Sequence, residues 1–430
     1  MSDSGKILLD FAKQLYPICR SITGNGLRET LAIIQERLPG MQIHEVVSGS
    51  RAFDWIVPDE WNIRDAYLLD PDGRKIIDFQ QNNLHVVGYS VPIDITIDLE
   101  QLQGHLYSLP GQPEAIPYVT SYYEKRWGFC LSEQQRRQLK PGNYRAVINS
   151  SLEPGHLTYG ELLIPGDQEE EIFLSTYVCH PSMANNELSG PTVATFLASW
   201  LQQWTERKYS YRLVFVPETI GSLVYLSRNL AIMQERIVAG FNLSCLGDDR
   251  CYSYLPSRQE DSLADRVIQH VLQHTDPAYQ RYSFLCRGSD ERQYCSPGID
   301  LPVASLMRSK YATYPEYHTS LDNFEVVTAK GLWGGYTALR RCIEAIEGNE
   351  FLKVTVQGEP QLGRRGLYPT LSTKGSVVST RTMMHLLAYA DGKRDLLSIA
   401  EKIDTPIWQL FPLVKVLKLH DLLSCSRALT

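Results

Sequence analysis

The chain has no CxxC pair, no HExxH phrase, no internal repeat and no low-complexity stretch. Its apolar runs all stop well short of the roughly 18 residues a membrane-spanning helix needs. The nine cysteines are odd in number and scattered (Cys19, Cys130, Cys179, Cys245, Cys251, Cys286, Cys295, Cys342 and Cys425), which sets aside a disulfide-stapled secreted scaffold. The opening MSDSGKILLDFAKQLYP has no basic stretch followed by an apolar one, so export is not expected and a cytoplasmic protein is. Surplus positive charge is missing too. With 42 basic against 49 acidic residues the net charge is −7, and a nucleic acid is disfavoured as the main partner.

What remains is a globular composition, 43% apolar and 21% charged, over 430 residues, too long for one ordinary core. Helical spacing of Leu8, Leu9, Phe11, Ala12 and Leu15, then of Leu27, Leu31, Ile33, Ile34 and Leu38, predicts two helices separated by TGNG (Thr23 to Gly26). From Phe53 to Asn149, short Val, Ile and Tyr runs alternate with turn phrases such as DPDG and KPGN, the texture of a β-rich insert with little catalytic vocabulary.

From Tyr159 onward strands and helices alternate. Strands are predicted at EIFLSTYV (Glu171 to Val178), YRLVFV (Tyr211 to Val216), IVAGFNLSCL (Ile237 to Leu246) and LPVASLM (Leu301 to Met307). Helices are predicted over Gly190 to Trp204, Ser222 to Leu230, Asp261 to His274 and Thr328 to Glu347. This is an α/β pattern with a largely parallel sheet, whose site belongs at the carboxyl ends of the strands. After the Gly- and Arg-rich QGEPQLGRRG (Gln357 to Gly366), three short amphipathic segments suggest a winged-helix-like module. The expected division is residues 1–52 with 156–356 as the main domain, 53–155 as the insert and 366–430 as the terminal module.

Four phrases put a His or a carboxylate where an apolar strand stops: VCHPSMANNELSGP (Val178 to Pro191), VPETIGS (Val216 to Ser222), GSDERQYCSPGIDLP (Gly288 to Pro302) and YPEYHTSLDN (Tyr314 to Asn323). His180 and Glu187 stand seven apart around a turn forced by Pro181, close enough to share a coordination sphere; the plainer alternative is a capped loop. Glu218 is placed either to take a proton from metal-bound water or to sit inertly at a helix start. His318 has Asp322 four residues on as a candidate partner for its second nitrogen. Asp290 and Glu291 could hold a substrate ammonium or pair with Arg287 or Arg292, and Asp248 could add an oxygen ligand or form a turn. His270 and His274, four apart on a helix that reads as amphipathic and exposed, are expected to be solvated.

The order of these phrases resembles the zinc aminopeptidase and glutaminyl cyclase superfamily. Within it the chain most resembles aminopeptidase-like proteins with an inserted β domain and a C-terminal winged helix, often found near polysaccharide or natural-product biosynthesis genes. The resemblance implies a mixed, largely parallel sheet flanked by helices and zinc above the strand ends, with His180 as the first metal His, Glu218 as the general base, His318 as the last metal His and Asp290 near the substrate amine. Three carboxylates of that pattern are replaced, by Asn186, Thr219 and Ser244. An amide or hydroxyl binds zinc less well than a carboxylate, so one ion is expected rather than two. Its expected ligands come from His180, Glu187 and His318, with Asn186 and Asp248 nearby and Glu218 as base or fourth ligand.

The expected activity is metal-dependent hydrolysis of a peptide or amide bond in a small substrate with a free amine. The competing readings are a binding or assembly protein on a decayed scaffold and a regulator that binds DNA through its terminal module. A homo-oligomer formed through the insert or the terminal module is a further expectation.

Overall fold

The computed structural model describes residues 2–367 and 374–426. By contacts the chain divides into two units, Met1–Ala264 with Ala278–Thr337, and Asp265–Pro277 with Ala338–Thr430.

The first unit is built on an eight-stranded mixed sheet. In spatial order its strands are Gln42–Val47, His156–Ile164, Ser210–Val216, Glu171–Tyr177, Ile237–Leu243, Val303–Met307, Ser253–Leu255 and Gln280–Arg281. The four central strands, Ser210–Val216 through Val303–Met307, run parallel. Their residues are apolar on both faces and almost wholly buried, as a parallel sheet covered on both sides requires.

Chain order reverses around Glu171–Tyr177, which has the next strand in sequence on one side and the one after that on the other. A crevice opens beyond the strand ends at such a reversal, and this is where the four phrases lie. The crossover helices are Ser189–Gln203 and Ile220–Arg236. The first of these lies tight against the sheet: a Cβ on Gly190 would come within 2.4 Å of the Leu243 carbonyl oxygen and 2.5 Å of Thr176 Oγ1, so no larger residue fits there.

Between Val47 and His156 the chain makes a four-stranded antiparallel sheet ordered Lys75–Asp78, Glu60–Leu69, Asn143–Glu153, Ile93–Asp98. It has its own core around Ala66, Leu68, Ile77, Phe129, Tyr144 and Ala146. A long arm of this insert reaches the main sheet's strand ends. Tyr118 N donates to the His318 carbonyl (2.9 Å), Ile116 and Ser320 exchange bonds, and Gln112 Nε2 donates to the Pro315 carbonyl (2.7 Å).

The second unit has helices Leu263–Thr275, Lys374–Tyr389, Leu396–Lys402 and Ile407–Leu419, with a three-stranded antiparallel sheet of Asp391–Asp395, Phe351–Val354 and Leu423–Cys425. The helix Leu263–Thr275 begins at the boundary between the units and runs into this one. Here the expectation of solvated histidines fails. His270 is buried, its Nε2 accepts the Ile407 backbone N–H at 2.9 Å, and both His270 and His274 rings meet Trp408 edge-on. Their helix is amphipathic, but its apolar side is covered, and His270 belongs to that side.

Candidate functional site

Three backbone irregularities shape the strand ends. After Val178 and Cys179 the chain passes through Ser182, which has a left-handed φ of 44°, into a π-helical turn over Ala184–Leu188. The free N–H groups that open this turn are satisfied from far along the chain: Asp322 Oδ1 accepts from Asn185 N (2.6 Å) and Oδ2 from Asn186 N (2.9 Å). Asp322 also accepts from Tyr314 Oη. It therefore caps the turn and does not serve His318, correcting the partner suggested by their spacing.

The second irregularity is Thr219, at φ 65° and ψ −73°, where Ile220 N bonds back to the Glu218 carbonyl at 2.8 Å. This is the rare, strained form of γ-turn, costing on the order of 1–3 kcal/mol, and it immediately follows Glu218, whose side chain lines a cavity. His318 is the third, a non-glycine residue at φ 56°. Strain of this kind persists where the surroundings enforce it, and here the insert's bond from Tyr118 N fixes the His318 carbonyl.

A cavity of about 350 Å³ results, lined by His180, Glu218, Thr219, Arg292, His318 and Cys179 from the main fold and by Trp55, Tyr118, Thr120, Tyr122 and Tyr123 from the insert. The insert therefore supplies an aromatic wall that its sequence texture did not announce. His180 Nδ1 is 2.9 Å from Glu187 Oε2, and its Nε2 is 3.6 Å from Glu218 Oε2. Ser289 Oγ donates to Glu218 Oε1 at 2.7 Å. The His180 and His318 ring centroids are 5.5 Å apart, and Tyr118 packs on both rings. The two imidazoles and Glu218 thus line one cavity.

Behind His180 lies Arg20, a residue to which sequence reasoning gave no role. It is buried, its Nε donates to the His180 carbonyl at 3.0 Å, and that same nitrogen is 3.5 Å from Glu187 Oε1. Glu187 has no exposed side-chain surface. It lies between a guanidinium and an imidazole N–H, the position of a carboxylate that orients a histidine from behind. Cys179 Sγ is 3.4 Å from His180 Nδ1, and Cys179, His180 and Glu187 form a compact donor cluster. Burial pushes the Cys179 thiol up to about 11.

The remaining candidates lie elsewhere. Asp248 is buried and accepts from Ser309 N, Ser309 Oγ, Arg250 N and Asn185 Nδ2, so it ties loops together and is not a metal ligand in this geometry. Asn186 Oδ1 accepts from Tyr177 Oη at 3.1 Å and likewise faces the protein. Asp290 Oδ1 takes the Thr219 N–H and the Ser222 hydroxyl, and Glu291 takes Asn242 Nδ2, Gly288 N, Ser289 N and Tyr311 Oη. Both acids are wholly buried. Burial, with Glu218 nearby, raises Asp290 to about 8, a neutral acid at ordinary pH. Asp290 Oδ2 is left without a partner but is buried, so neither acid presents an accessible carboxylate to a substrate ammonium.

Burial and the adjacent His180 push His318 down to about 3, so its imidazole is neutral with a lone pair available. Burial raises the Glu218 carboxyl. It also raises the phenols of Tyr118 and Tyr122, whose hydroxyls are 2.9 Å apart, and keeps both protonated as donors.

Comparison with known proteins agrees with this architecture. A protein of Clostridium acetobutylicum, provisionally named for polysaccharide biosynthesis and an aminopeptidase-like domain, is 45% identical over 403 residues, covering 93% of this chain and 92% of the relative. A crystal structure from the same organism, provisionally called a peptidase, is 43% identical with a TM-score of 0.93 over 99% of this chain and 97% of that one. The zinc aminopeptidase BSAP of Bacillus subtilis shares the fold at 13% identity, with a TM-score of 0.57 over 80% of this chain and 94% of its own. A winged helix-turn-helix family matches residues 350–425. The aminopeptidase-like fold with a C-terminal winged helix is therefore shared, and through the match over residues 9–349 the chain belongs to the family described as a domain of unknown function, DUF4910.

Proposed function

We propose that the protein is a metal-dependent hydrolase of a peptide or amide bond, using one zinc ion on the cavity side of His180. The observation that carries this reading is the convergence of His180 Nε2, His318 and Glu218 on one cavity. Two donors on a tetrahedral zinc with bonds of about 2.0–2.2 Å stand roughly 3.4 Å apart, and two imidazole rings on it have centroids about 5 Å apart. The 3.6 Å between His180 Nε2 and Glu218 Oε2 matches two such donors; His318, its ring centroid 5.5 Å from that of His180, lines the same cavity, and its nitrogen would have to close in to complete the set. The rear cluster of Cys179, His180 Nδ1 and Glu187 suits a cation less well, because a second cation there would face the buried Arg20 guanidinium.

When bound, zinc polarises the amide carbonyl and lowers the pKa of a water molecule toward neutrality. Glu187 accepts the Nδ1 proton of His180, so the Nε2 lone pair faces the cavity in a fixed tautomer. Ser289 holds one oxygen of Glu218 and leaves the other toward His180. Tyr118 and Tyr122, kept protonated by burial, bond to each other, so one of the two hydroxyls keeps a proton to donate to a developing oxyanion.

The competing reading, a binding protein on a decayed scaffold, draws on the replacement of three expected carboxylates by Asn186, Thr219 and Ser244. Metal analysis of full-length protein purified without chelator separates the two, alongside assays on peptide and amide substrates. A single zinc per chain, with amide turnover that a chelator abolishes, is expected. Protein that binds small amides without zinc and without turnover would replace the enzyme with the binding protein.

A further inference from the structure

Aminopeptidase action needs a free acid to hold the substrate's ammonium group; of the two acids that sequence order suggested, Glu291 is fully engaged, and Asp290 is wholly buried, its Oδ1 bonded and its Oδ2 closed off from the cavity surface. The cavity presents the opposite charge. Among its described lining residues Arg292 is the one Lys or Arg, while Glu218 is committed to the proposed donor set. Arg292 Nη2 donates to Thr219 Oγ1 at 2.7 Å, which ties the guanidinium to the strained turn directly after Glu218. No other hydrogen bond from this guanidinium is present among the described residues, so its planar fork is free to grip a carboxylate.

A second feature lies at the same mouth. Trp55 and Tyr123 both line the cavity yet are 40% and 52% exposed, with their rings edge to face at 5.9 Å. Tyr123 Oη donates to the Ile56 carbonyl, and Phe53 and Ile56 beside them are also exposed. Large apolar side chains left open in a cluster at a cavity mouth mark a contact surface for an apolar or aromatic group.

We propose that the substrate is an N-acylated amino acid with a free carboxylate and an aromatic or apolar acyl group, and not a substrate with a free amine. This rests on the hydrolase reading above and names its substrate class. Arg292 holds the carboxylate, Trp55 and Tyr123 carry the acyl group, and the amide lies at His180, His318 and Glu218. Water's oxygen bonds to the acyl carbon as the C–N bond breaks; the water's protons go to the departing nitrogen and, by ionisation, to solvent. The products are a carboxylate and a free amino acid.

The test uses full-length protein as purified and three probes of one size: N-benzoylglycine (carboxylate), N-benzoylglycinamide (neutral) and glycine benzylamide (ammonium). Calorimetric affinities should favour the carboxylate over the neutral probe on the order of tenfold, as a charge-assisted pair supplies. Arg292→Gln should remove that preference while leaving the neutral affinity in place, Arg292→Lys should restore part of it, and Trp55→Ala should weaken both benzoyl probes. Tightest binding of the ammonium probe, or a carboxylate preference unchanged in Arg292→Gln, would overturn the proposal. Hydrolysis and zinc content, measured on the same samples, test the hydrolase reading separately. The predicted binding order without turnover would sink catalysis alone, and turnover with the reverse order would sink the substrate class alone.

Discussion

Two histidine pairs lie in different parts of this molecule, and the pair closer in sequence is not the pair that lines the cavity at the strand ends. His270 and His274 are four residues apart on one helix, with ring centroids 4.7 Å apart. His180 and His318 are far apart in sequence, and their rings are 5.5 Å apart. The first pair is nearer in both senses. Yet His270 Nε2 already accepts a backbone N–H and the pair packs on Trp408, whereas His180 and His318 line a cavity with a carboxylate between strand ends. A ring nitrogen already bonded to backbone cannot serve as a ligand, which is why the metal is proposed at the cavity pair.

The comparison is broken most directly by metal analysis of four alanine variants. His180→Ala and His318→Ala should each abolish zinc retention, while His270→Ala and His274→Ala should keep it, all read by elemental analysis after purification without chelator. Retention in the first two with loss in the second two would move the site to the other pair.

The next effect in size concerns the support behind His180. Arg20 and Glu187 are a fully buried ion pair, and removing one partner of such a pair costs about 3–5 kcal/mol because the other charge is left without compensation. Arg20→Met should lower the unfolding free energy of the full chain by that order, read from denaturant melts. The double variant Arg20→Met with Glu187→Gln should recover part of the loss, since no charge is stranded. Equal destabilisation by the single and double variants would show that Arg20 acts through packing alone. No comparable change is expected at His274, which is only partly buried.

Much of this was legible in the sequence. The strand EIFLSTYV ends within one residue of its predicted end, at Tyr177, and the helix predicted over Gly190 to Trp204 runs Ser189–Gln203. Long apolar periods are local signals, and so were the strand ends at which His180 and Glu218 lie. Arg20 was not legible, because its meaning comes from Glu187 and the His180 carbonyl, more than 150 residues away. Tyr118 and Tyr122 were missed for a related reason: in a β-rich insert tyrosine is ordinary, and only the arm that reaches the His318 loop makes these two part of the site. Asp322 was read as a partner for His318 because they are four apart, but the open N–H groups of Asn185 and Asn186 attract its carboxylate more strongly.

The helical pair also carries an acid signature of its own. Burial, then the neighbouring His274 and Arg266, hold His270 down to about 4 from an ordinary 6.5. Its folded-state pKa is depressed, so the stability it contributes is fully present above pH 6.5 and is lost as the pH falls from there through about 4, where the unfolded chain binds a proton before the folded one does. In full-length protein the His270 ring resonances should stay unshifted until the pH nears 4. His270→Gln, which keeps an acceptor for Ile407 N but cannot titrate, should flatten the fall in stability between pH 6.5 and 4. A His270 signal that titrates near 6.5 would show the ring to be solvated, as the spacing on its helix first suggested.

The smallest effect separates the cavity's donors from its walls. Tyr122→Phe removes one hydroxyl of the Tyr118–Tyr122 pair, 2.9 Å apart, while leaving the ring against Tyr89 at 5.1 Å. The net loss of one neutral hydrogen bond is about 1 kcal/mol of stability. If the hydroxyl also faces a developing oxyanion, kcat should fall further than stability does, with KM little changed, because a donor used only in the transition state is absent from ground-state binding. A rise in KM with kcat intact would make Tyr122 part of the wall that holds the substrate and remove it as an oxyanion donor.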